Sequence, residues 1–509
     1  MADGTTAATL LLERAERRRV ELSNALADAR LRSEHGQFFT PAKAALLIAR
    51  MPSITGPAVR VLDPGAGSGM LSAAFVARWL ADAPEVVLEI VAVERDPAVA
   101  PILRDTLEDC EKVAADLGAS LTTTIVVGDF IDISTGLDQK DDLISGFNLV
   151  IQNPPYAKMP ASSPQRDALR WSGVDTPNLY AAFLALGARA LDAGGQLVAI
   201  TPRSFCNGPY FGAFRSYLLD RISLDRVHVF ASRSTVFADT AVLQENVVFS
   251  GTLDGQRETV TVSESTGYDD EATTRVVPYA EVVHPDDPHR FIRITTSDVD
   301  TATAERMMAL PATLADLGLT ASTGRVVDFR SRECLRHEAE GDALPLVYPA
   351  NLRDGRVEWP RSIRKAQWFA PACSRDDAML MPEGWYCVIK RFSAKEERRR
   401  IVAAVWSPLD HAGRVAFENH VNVIHESGEG LDPLVVRGLC LWLNSTLVDR
   451  FFRTFSGHTQ VNATDLRSLR YPDTDTLRRL GDIAPKMLPA QKHIDTLVDG
   501  VLSGAGDTA

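Results

Sequence analysis

The chain lacks the marks of several protein classes. Its six cysteines (Cys110, Cys206, Cys334, Cys373, Cys387, Cys440) stand at least 14 residues apart. No C-x-x-C pair is available for a zinc knuckle or a redox motif, and no metal is expected. No stretch reaches the roughly 18 uncharged apolar residues of a membrane span. After Met1-Ala2-Asp3-Gly4, the Leu10–Leu12 triplet runs straight into charge, so no secretory core is expected and a reduced, cytoplasmic enzyme is. There is no basic excess: 54 Lys+Arg face 67 Asp+Glu, a net charge of −13. No internal repeat is visible.

What is present is ordinary globular composition, 45% hydrophobic and 24% charged, over 509 residues. That length predicts two to four domains at roughly 100–200 residues each. The charge is unevenly spread. Residues 321–470 hold 22 basic and 19 acidic side chains, a net of +3, which leaves −16 for the remainder. A local basic surface is what nucleic-acid contact requires, so the second half can carry one in spite of the acidic whole.

Residues 1–34 read as an N-terminal helical segment in which Leu11, Leu12, Ala15, Leu22 and Leu26 are interleaved with arginines. From Val59 to Phe249, short apolar runs alternate with helical patterns. The runs are Val59–Leu62, Val86–Val93, Thr124–Val127, Leu149–Gln152, Leu197–Ile200, Arg226–Phe230 and Glu245–Phe249. The helical patterns include Leu71–Leu80, Pro97–Leu117 and Tyr180–Leu191. This alternation predicts an α/β fold: a doubly wound, Rossmann-like sheet covered on both faces, with ligands beyond the carboxyl ends of its strands. The acidic, turn-rich Ser263–Glu271 stretch suggests a boundary. The expected division is 35–265 for the catalytic domain, 266–320 for a linker or boundary region, 321–485 for a second α+β domain and 486–509 for a C-terminal tail.

Polar residues punctuate the strand ends. Asp63-Pro64-Gly65-Ala66-Gly67-Ser68-Gly69 follows the first strand and opens a helix, where glycines allow close backbone approach to a ligand. The P-loop Lys-Ser/Thr is absent, which disfavours phosphate. A nucleoside without phosphates fits better, and S-adenosylmethionine is the common one. Glu94, ending the second strand, is placed to accept from ribose hydroxyls. Asp129-Phe130, after the third, offers an acceptor for an adenine amine and an apolar edge for its ring. Asn153-Pro154-Pro155-Tyr156, after the fourth, sets two acceptors, the Asn153 side-chain oxygen and the Pro154 carbonyl, in a rigid turn beside an aromatic face. Such a pair can hold one –NH2 group and favour the tetrahedral, positively charged transition state of its alkylation. Taken alone, the tetrapeptide could be a plain proline turn; its position after the glycine loop and Asp129-Phe130 selects the chemical reading.

With these elements in this order, the chain resembles the DNA adenine-N6 methyltransferases of the gamma arrangement, the TaqI/PstI-like modification enzymes of type II restriction-modification systems. His35-Gly36-Gln37-Phe38-Phe39-Thr40-Pro41, upstream of the glycine loop, defines that arrangement, and the likeness is strongest over residues 35–250. The resemblance implies that Phe38 and Thr40 close over the methionine part of the cofactor, that Asp63, Gly65 and Gly67 line it, that Glu94 holds the ribose and that Asp129 and Phe130 hold the adenine, with Asn153 bordering the transferred methyl. Asn153, Pro154, Pro155 and Tyr156 then hold a flipped-out target base, with Phe237 packing on its other face or, alternatively, serving as a core residue. Double-stranded DNA is the implied partner, together with a separate cognate endonuclease.

The second half is expected to be the target-recognition domain. Arg361, Arg364, Lys365, Lys390, Arg391, Thr459, Gln460 and Asn462 are its candidate DNA contacts. Arg398–Arg400 can equally be a solvated face, because Glu396 and Glu397 adjoin it. The single (Asp/Glu)-x-Lys tripeptide, Asp138-Gln139-Lys140, lies upstream of both Pro-Asp pairs, so a fused nuclease is not expected. Two other readings stay open at this stage: a protein-glutamine N5 methyltransferase, and a non-catalytic DNA-recognition protein on a methyltransferase core. Cytosine-N4 is a further alternative to adenine, less favoured because Asn rather than Ser precedes Pro-Pro-Tyr.

Overall fold

The structure is a computed structural model that describes residues 2–25, 39–138, 144–230, 245–394, 396–456 and 459–503. It forms two compact units, the first ending at Thr296 and the second beginning at Ser297.

The first unit is built on a nine-stranded sheet. Its strands are β1 (Ala58–Pro64), β2 (Val87–Glu94), β3 (Leu121–Val127), β4 (Phe147–Gln152), β5 (Leu191–Pro202), β6 (Ile222–Phe230), β7 (Asn246–Leu253), β8 (Thr259–Ser265) and β9 (Thr273–Pro278). Their spatial order is β3-β2-β1-β4-β5-β7-β6-β8-β9. The β3 to β5 half is parallel, and β7 runs against both of its neighbours. Chain order reverses between β1 and β4, and that switch point is where a parallel sheet opens a crevice at its carboxyl edge.

Helices cover both faces. On one face lie α1 (Ala2–Ala25), α2 (Ala42–Ala49) and α3 (Met70–Asp82), with Leu11, Ala15, Ile48, Phe75 and Trp79 in one core. Next in the chain come α4 (Ala100–Asp116) and α5 (Phe130–Ser134). On the other face, α6 (Pro164–Trp171), α7 (Leu179–Ala190) and α8 (Gly212–Leu219) contribute Leu169, Leu184 and Phe214 to a second core with Val150, Leu197 and Phe249. The central strands are therefore buried on both sides and read as unbroken apolar runs. The N-terminal helix is an integral layer of this unit: Leu11 and Ala15 are buried, and Arg18 donates to Asp109 of α4 at 2.7 Å.

The second unit contains α9 (Asp298–Met308) and two sheets. One runs β10 (Thr320–Thr323), β20 (Val421–His425), β17 (Tyr386–Lys390), β18 (Ala403–Trp406), β14 (Arg356–Val357), β13 (Leu352–Arg353). The other runs β11 (Leu335–Arg336), β15 (Trp368–Phe369), β12 (Leu344–Val347), β19 (Val415–Phe417), β16 (Leu380–Met381). Then follow α10 (Pro433–Leu443), α11 (Thr446–Phe455), α12 (Ala463–Ser468), α13 (Thr474–Ile483) and α14 (Gln491–Leu502). Helices α10 and α13 touch at glycines. A Cβ on Gly438 would sit 1.9 Å from the Leu477 carbonyl oxygen, and one on Gly481 1.8 Å from that of Leu434.

Two expected boundaries are corrected. Residues 266–320 do hold the boundary between the two units, at Thr296/Ser297, but they carry paired structure and are not a linker. Residues 273–278 are the β9 edge of the first sheet, paired with β8, so the acidic Ser263–Glu271 stretch is the end of one strand and a hairpin turn. Ala312 exchanges backbone hydrogen bonds with Tyr471 inside the second unit. The expected tail, 486–509, contains α14, whose Ile494 and Val498 are buried.

Candidate active site

Asp63-Pro64 brings β1 to the switch point, and the chain then turns through Gly65, Gly67 and Gly69, all at positive φ (74°, 57° and 79°). The turn is pinned from β2. The Gly65 and Ala66 N–H groups donate to the Val93 carbonyl at 2.9 Å, and Gly67 N–H donates to Glu94 Oε2 at 2.9 Å. Asp96 N–H donates to Glu94 Oε1 at 2.7 Å. Burial raises the Glu94 carboxyl above its ordinary value, and these two N–H donors partly offset that. Glu94 thus both holds the loop and faces the space in front of it.

Asp63 is 2% exposed and accepts from the Ser72 hydroxyl at 2.6 Å, one turn into α3. Burial, aided by the negative Glu94, pushes its carboxyl up to about 7. Its place is beneath the glycine loop, where it ties β1 to α3.

In front of the loop is a cavity of about 100 Å³ that opens to solvent. Its walls include Phe39, Gly65, Gly67, Val93, Glu94, Arg95, Asp129, Phe130, Asn153, Pro155, Leu179 and Phe183. Asp129 caps α5 by accepting from Ile131 N–H at 2.9 Å, and its other oxygen lies 3.7 Å from Arg95. Phe130 is buried against Phe183, with ring centroids 5.1 Å apart. The cavity carries a carboxylate on each of two adjacent strand ends and apolar edges between them, so it can hold a flat, hydroxylated, amine-bearing ligand.

Asn153 stands at the end of β4 on the rim of this cavity. Its Nδ2 donates to the Thr40 hydroxyl at 2.9 Å, and its Oδ1 accepts from the Tyr156 hydroxyl at 3.1 Å. Thr40 is itself buried, so the amide is held at a fixed place on the rim. The Tyr156 hydroxyl also lies 3.4 Å from the Ile200 carbonyl, a second acceptor within its reach. Burial raises that phenol well above its ordinary value, so it stays protonated and remains a donor. Pro154 is buried, and the Tyr156 ring meets Tyr180 edge-on at 6.3 Å, with Phe211 behind Tyr180 at 5.4 Å. The structure thus brings Thr40, Gly65, Gly67, Glu94, Asp129, Phe130, Asn153, Pro155 and Tyr156 to one edge of the sheet. Phe38 and Phe237 lie outside the described residues.

Sequence reasoning passed over Phe39, Arg95, Leu179 and Phe183 as site residues. Phe39 stood inside a motif already singled out. Phe183 had no signal, because an aromatic in an apolar helix reads as core.

In the second unit the expected DNA contacts differ in how free they are. Arg364 is exposed and makes no ion pair among the described residues. Lys365 pairs with Asp328, Lys390 with Glu397, and Arg361 lies 3.7 Å from Glu358. Arg391 donates to the Asn419 carbonyl and reaches Gln460 at 3.4 Å. Thr459 accepts from Ser393 N–H through its carbonyl. Asn462 forms a capping box with Asp465 at the start of α12, a structural task that occupies its side chain.

Strand order, the reversed β7 and a carboxylate-lined cavity at the switch point define the class: a Rossmann-like methyltransferase domain with a second α+β unit appended. Residues 122–237 match the Eco57I restriction-modification methylase family model. The chain is 39% identical to the type II methyltransferase M.PstI of Providencia stuartii over 91% of each chain. It is 38% identical to M.BsuBI of Bacillus subtilis over 93% of this chain and 94% of that one. Among solved structures, the Type IIL restriction-modification enzyme MmeI in complex with DNA superposes with a TM-score of 0.56 at 13% identity, covering 91% of this chain and 71% of that one. The chain belongs to the type II methyltransferases of restriction-modification systems.

Proposed function

We propose that this chain transfers a methyl group from S-adenosylmethionine to N6 of an adenine flipped out of duplex DNA, as the modification partner of a separate restriction endonuclease in the cytoplasm. The observation that carries this reading is the Thr40-held Asn153 amide on the rim of a cavity whose walls hold Glu94, Asp129 and Phe130.

The residues fit the cofactor. A Cβ on Gly67 would lie 3.0 Å from the Phe39 ring and one on Gly65 3.3 Å from Phe183, so the loop leaves room for a ligand only because both lack side chains. Glu94 is placed to accept from ribose hydroxyls, Asp129 from an adenine amine, and Phe130 and Phe183 to cover the purine edge. When bound, the sulfonium supplies an electrophilic methyl carbon.

Asn153 Oδ1 accepts one N–H of the target amine and the Pro154 carbonyl the other. Drawing both hydrogens out of the ring plane localises the nitrogen lone pair. Both acceptors stabilise the positive charge that grows on that nitrogen, so they act mainly in the transition state. As the amine takes Oδ1, the Tyr156 hydroxyl turns to the Ile200 carbonyl. The Tyr156 ring stacks on the base; such stacking is worth about 1–3 kcal/mol and offsets part of the few kcal/mol that extrusion from the duplex costs.

Asn153→Ala tests the reading. Cofactor binding by calorimetry should stay near wild type while single-turnover methylation falls by at least a thousandfold. Activity within tenfold of wild type would sink the assignment. Methylation-aware sequencing of DNA from expressing cells distinguishes N6-adenine from N4-cytosine and from no DNA product.

A further inference from the structure

We propose that an arginine-lined groove on the second unit binds the phosphodiester backbone of duplex DNA independently of sequence. This inference rests on the DNA reading above and assigns a contact surface that the motifs did not contain.

The groove has an open volume of about 580 Å³ and lies where the β17–β18 connection meets the starts of α11 and α14. Four arginines line it, Arg398, Arg399, Arg450 and Arg453, against the single carboxylate of Asp449. That carboxylate is already occupied: Oδ2 accepts from Arg453 Nε at 2.7 Å and Oδ1 from Arg400 N–H at 2.6 Å. Arg399 donates to the Asn444 side chain at 2.9 Å, a neutral partner. Arg398 and Arg450 are exposed and make no hydrogen bond or ion pair among the described residues.

An adjoining hollow shares Arg398 and Arg399 and adds Arg353, together with the carboxylates of Asp354 and Glu397, the latter paired with Lys390. Burial and the neighbouring Arg398 both pull the Arg399 guanidinium below its ordinary value. Like charges crowded on a concave wall gain most from an anion, and planar guanidinium groups match phosphate oxygens in pairs. Four arginines around one carboxylate that is already engaged suit the continuous negative charge of a phosphate chain.

Salt-dependent binding to cognate and random duplexes tests this. For Arg398→Gln/Arg450→Gln, affinity for both duplexes should fall together. The log–log salt slope should shrink by about 1.8, at roughly 0.9 per lost phosphate contact. The preference for cognate over random DNA and the affinity for S-adenosylmethionine should be unchanged. Arg398→Lys/Arg450→Lys should restore most of the slope, which a merely structural role would not predict. An unchanged slope, or a loss confined to cognate DNA, overturns the proposal. So does tripolyphosphate stabilisation lost in the Gln variant with the DNA slope intact, which would assign the groove to a free oligophosphate. Wild-type protein that bound no duplex at all would remove the proposed function, and this groove with it; a failure of the groove alone leaves methylation in place.

Discussion

Thr40 does a job that its sequence motif does not announce. Its hydroxyl accepts from Asn153 Nδ2 at 2.9 Å while the Tyr156 hydroxyl donates to Oδ1, so the two together hold the amide in place. Thr40→Val keeps the shape and removes the acceptor. The expected result is a fall in kcat of about tenfold to a hundredfold, from a holding bond of about 1.5–3 kcal/mol lost in the transition state, with cofactor affinity held; an unchanged kcat would assign that task to other contacts. Asp63 raises a different question. Its carboxyl is pushed up to about 7 by burial, so the folded protein holds a proton there that the unfolded chain gives up near pH 4. The stabilisation linked to that proton is complete below the unfolded value and is lost as pH rises through about 7, a span worth up to about 4 kcal/mol. Asp63→Asn keeps an acceptor for Ser72 and removes the titration. Its melting temperature should gain on wild type as pH rises from about 4 to 7 and level off above that, with the two closest near pH 4. Parallel curves would show that the carboxyl titrates elsewhere. Motif chemistry made Glu94, Asp129 and Asn153 legible as single residues. It could not show that Asp63 turns under the loop to Ser72, because only the helix that follows decides that.

Among elements, the β1–α3 turn carries the site. Gly67 sits at φ 57° with the Phe39 ring 3.0 Å from where a Cβ would be; Gly118 has a similar φ of 75° with nothing within 4 Å. Both substitutions to alanine strain the backbone by about 1 kcal/mol, and only Gly67→Ala also pushes Phe39 into the cavity. Calorimetry should therefore show at least a tenfold loss of S-adenosylmethionine affinity in Gly67→Ala and none in Gly118→Ala. Equal losses would mean that strain alone matters. The same contrast of context explains which elements could be read in advance. Of the seven strands legible as apolar runs, six lie inside the sheet and are largely buried on both faces, whereas β3 is a half-exposed edge that showed only through Thr124–Val127. Strands β8 and β9 were not legible: in Thr259–Ser265, buried Val260 and Val262 alternate with polar residues, and β9 is an edge. Strands of two residues in the second unit, such as β11 and β15, are fixed by partners distant in the chain and leave no local period at all.

For the molecule as a whole, the division at Thr296/Ser297 sets how recognition can be exchanged. Charge composition placed the recognition region at 321–485, but covalent and non-covalent boundaries differ. A graft of 321–485 would split the strand-like pairing of Ala312 with Tyr471 between recipient and donor sequences. It would also set the recipient's α14, whose Asp495 accepts from the Thr446 N–H at 2.8 Å and whose Ile494 and Val498 are buried, against a donor α11. A mismatched helix face and cap cost up to several kcal/mol, a sizeable part of a domain's stability. A graft of residues 297–503 from a relative of different specificity keeps all of these contacts within one donor sequence. That chimera should melt near the parent and methylate the donor's site, whereas the 321–485 chimera should melt well below both parents. Retention of the recipient's site by a folded, active 297–503 chimera would place recognition in the first unit.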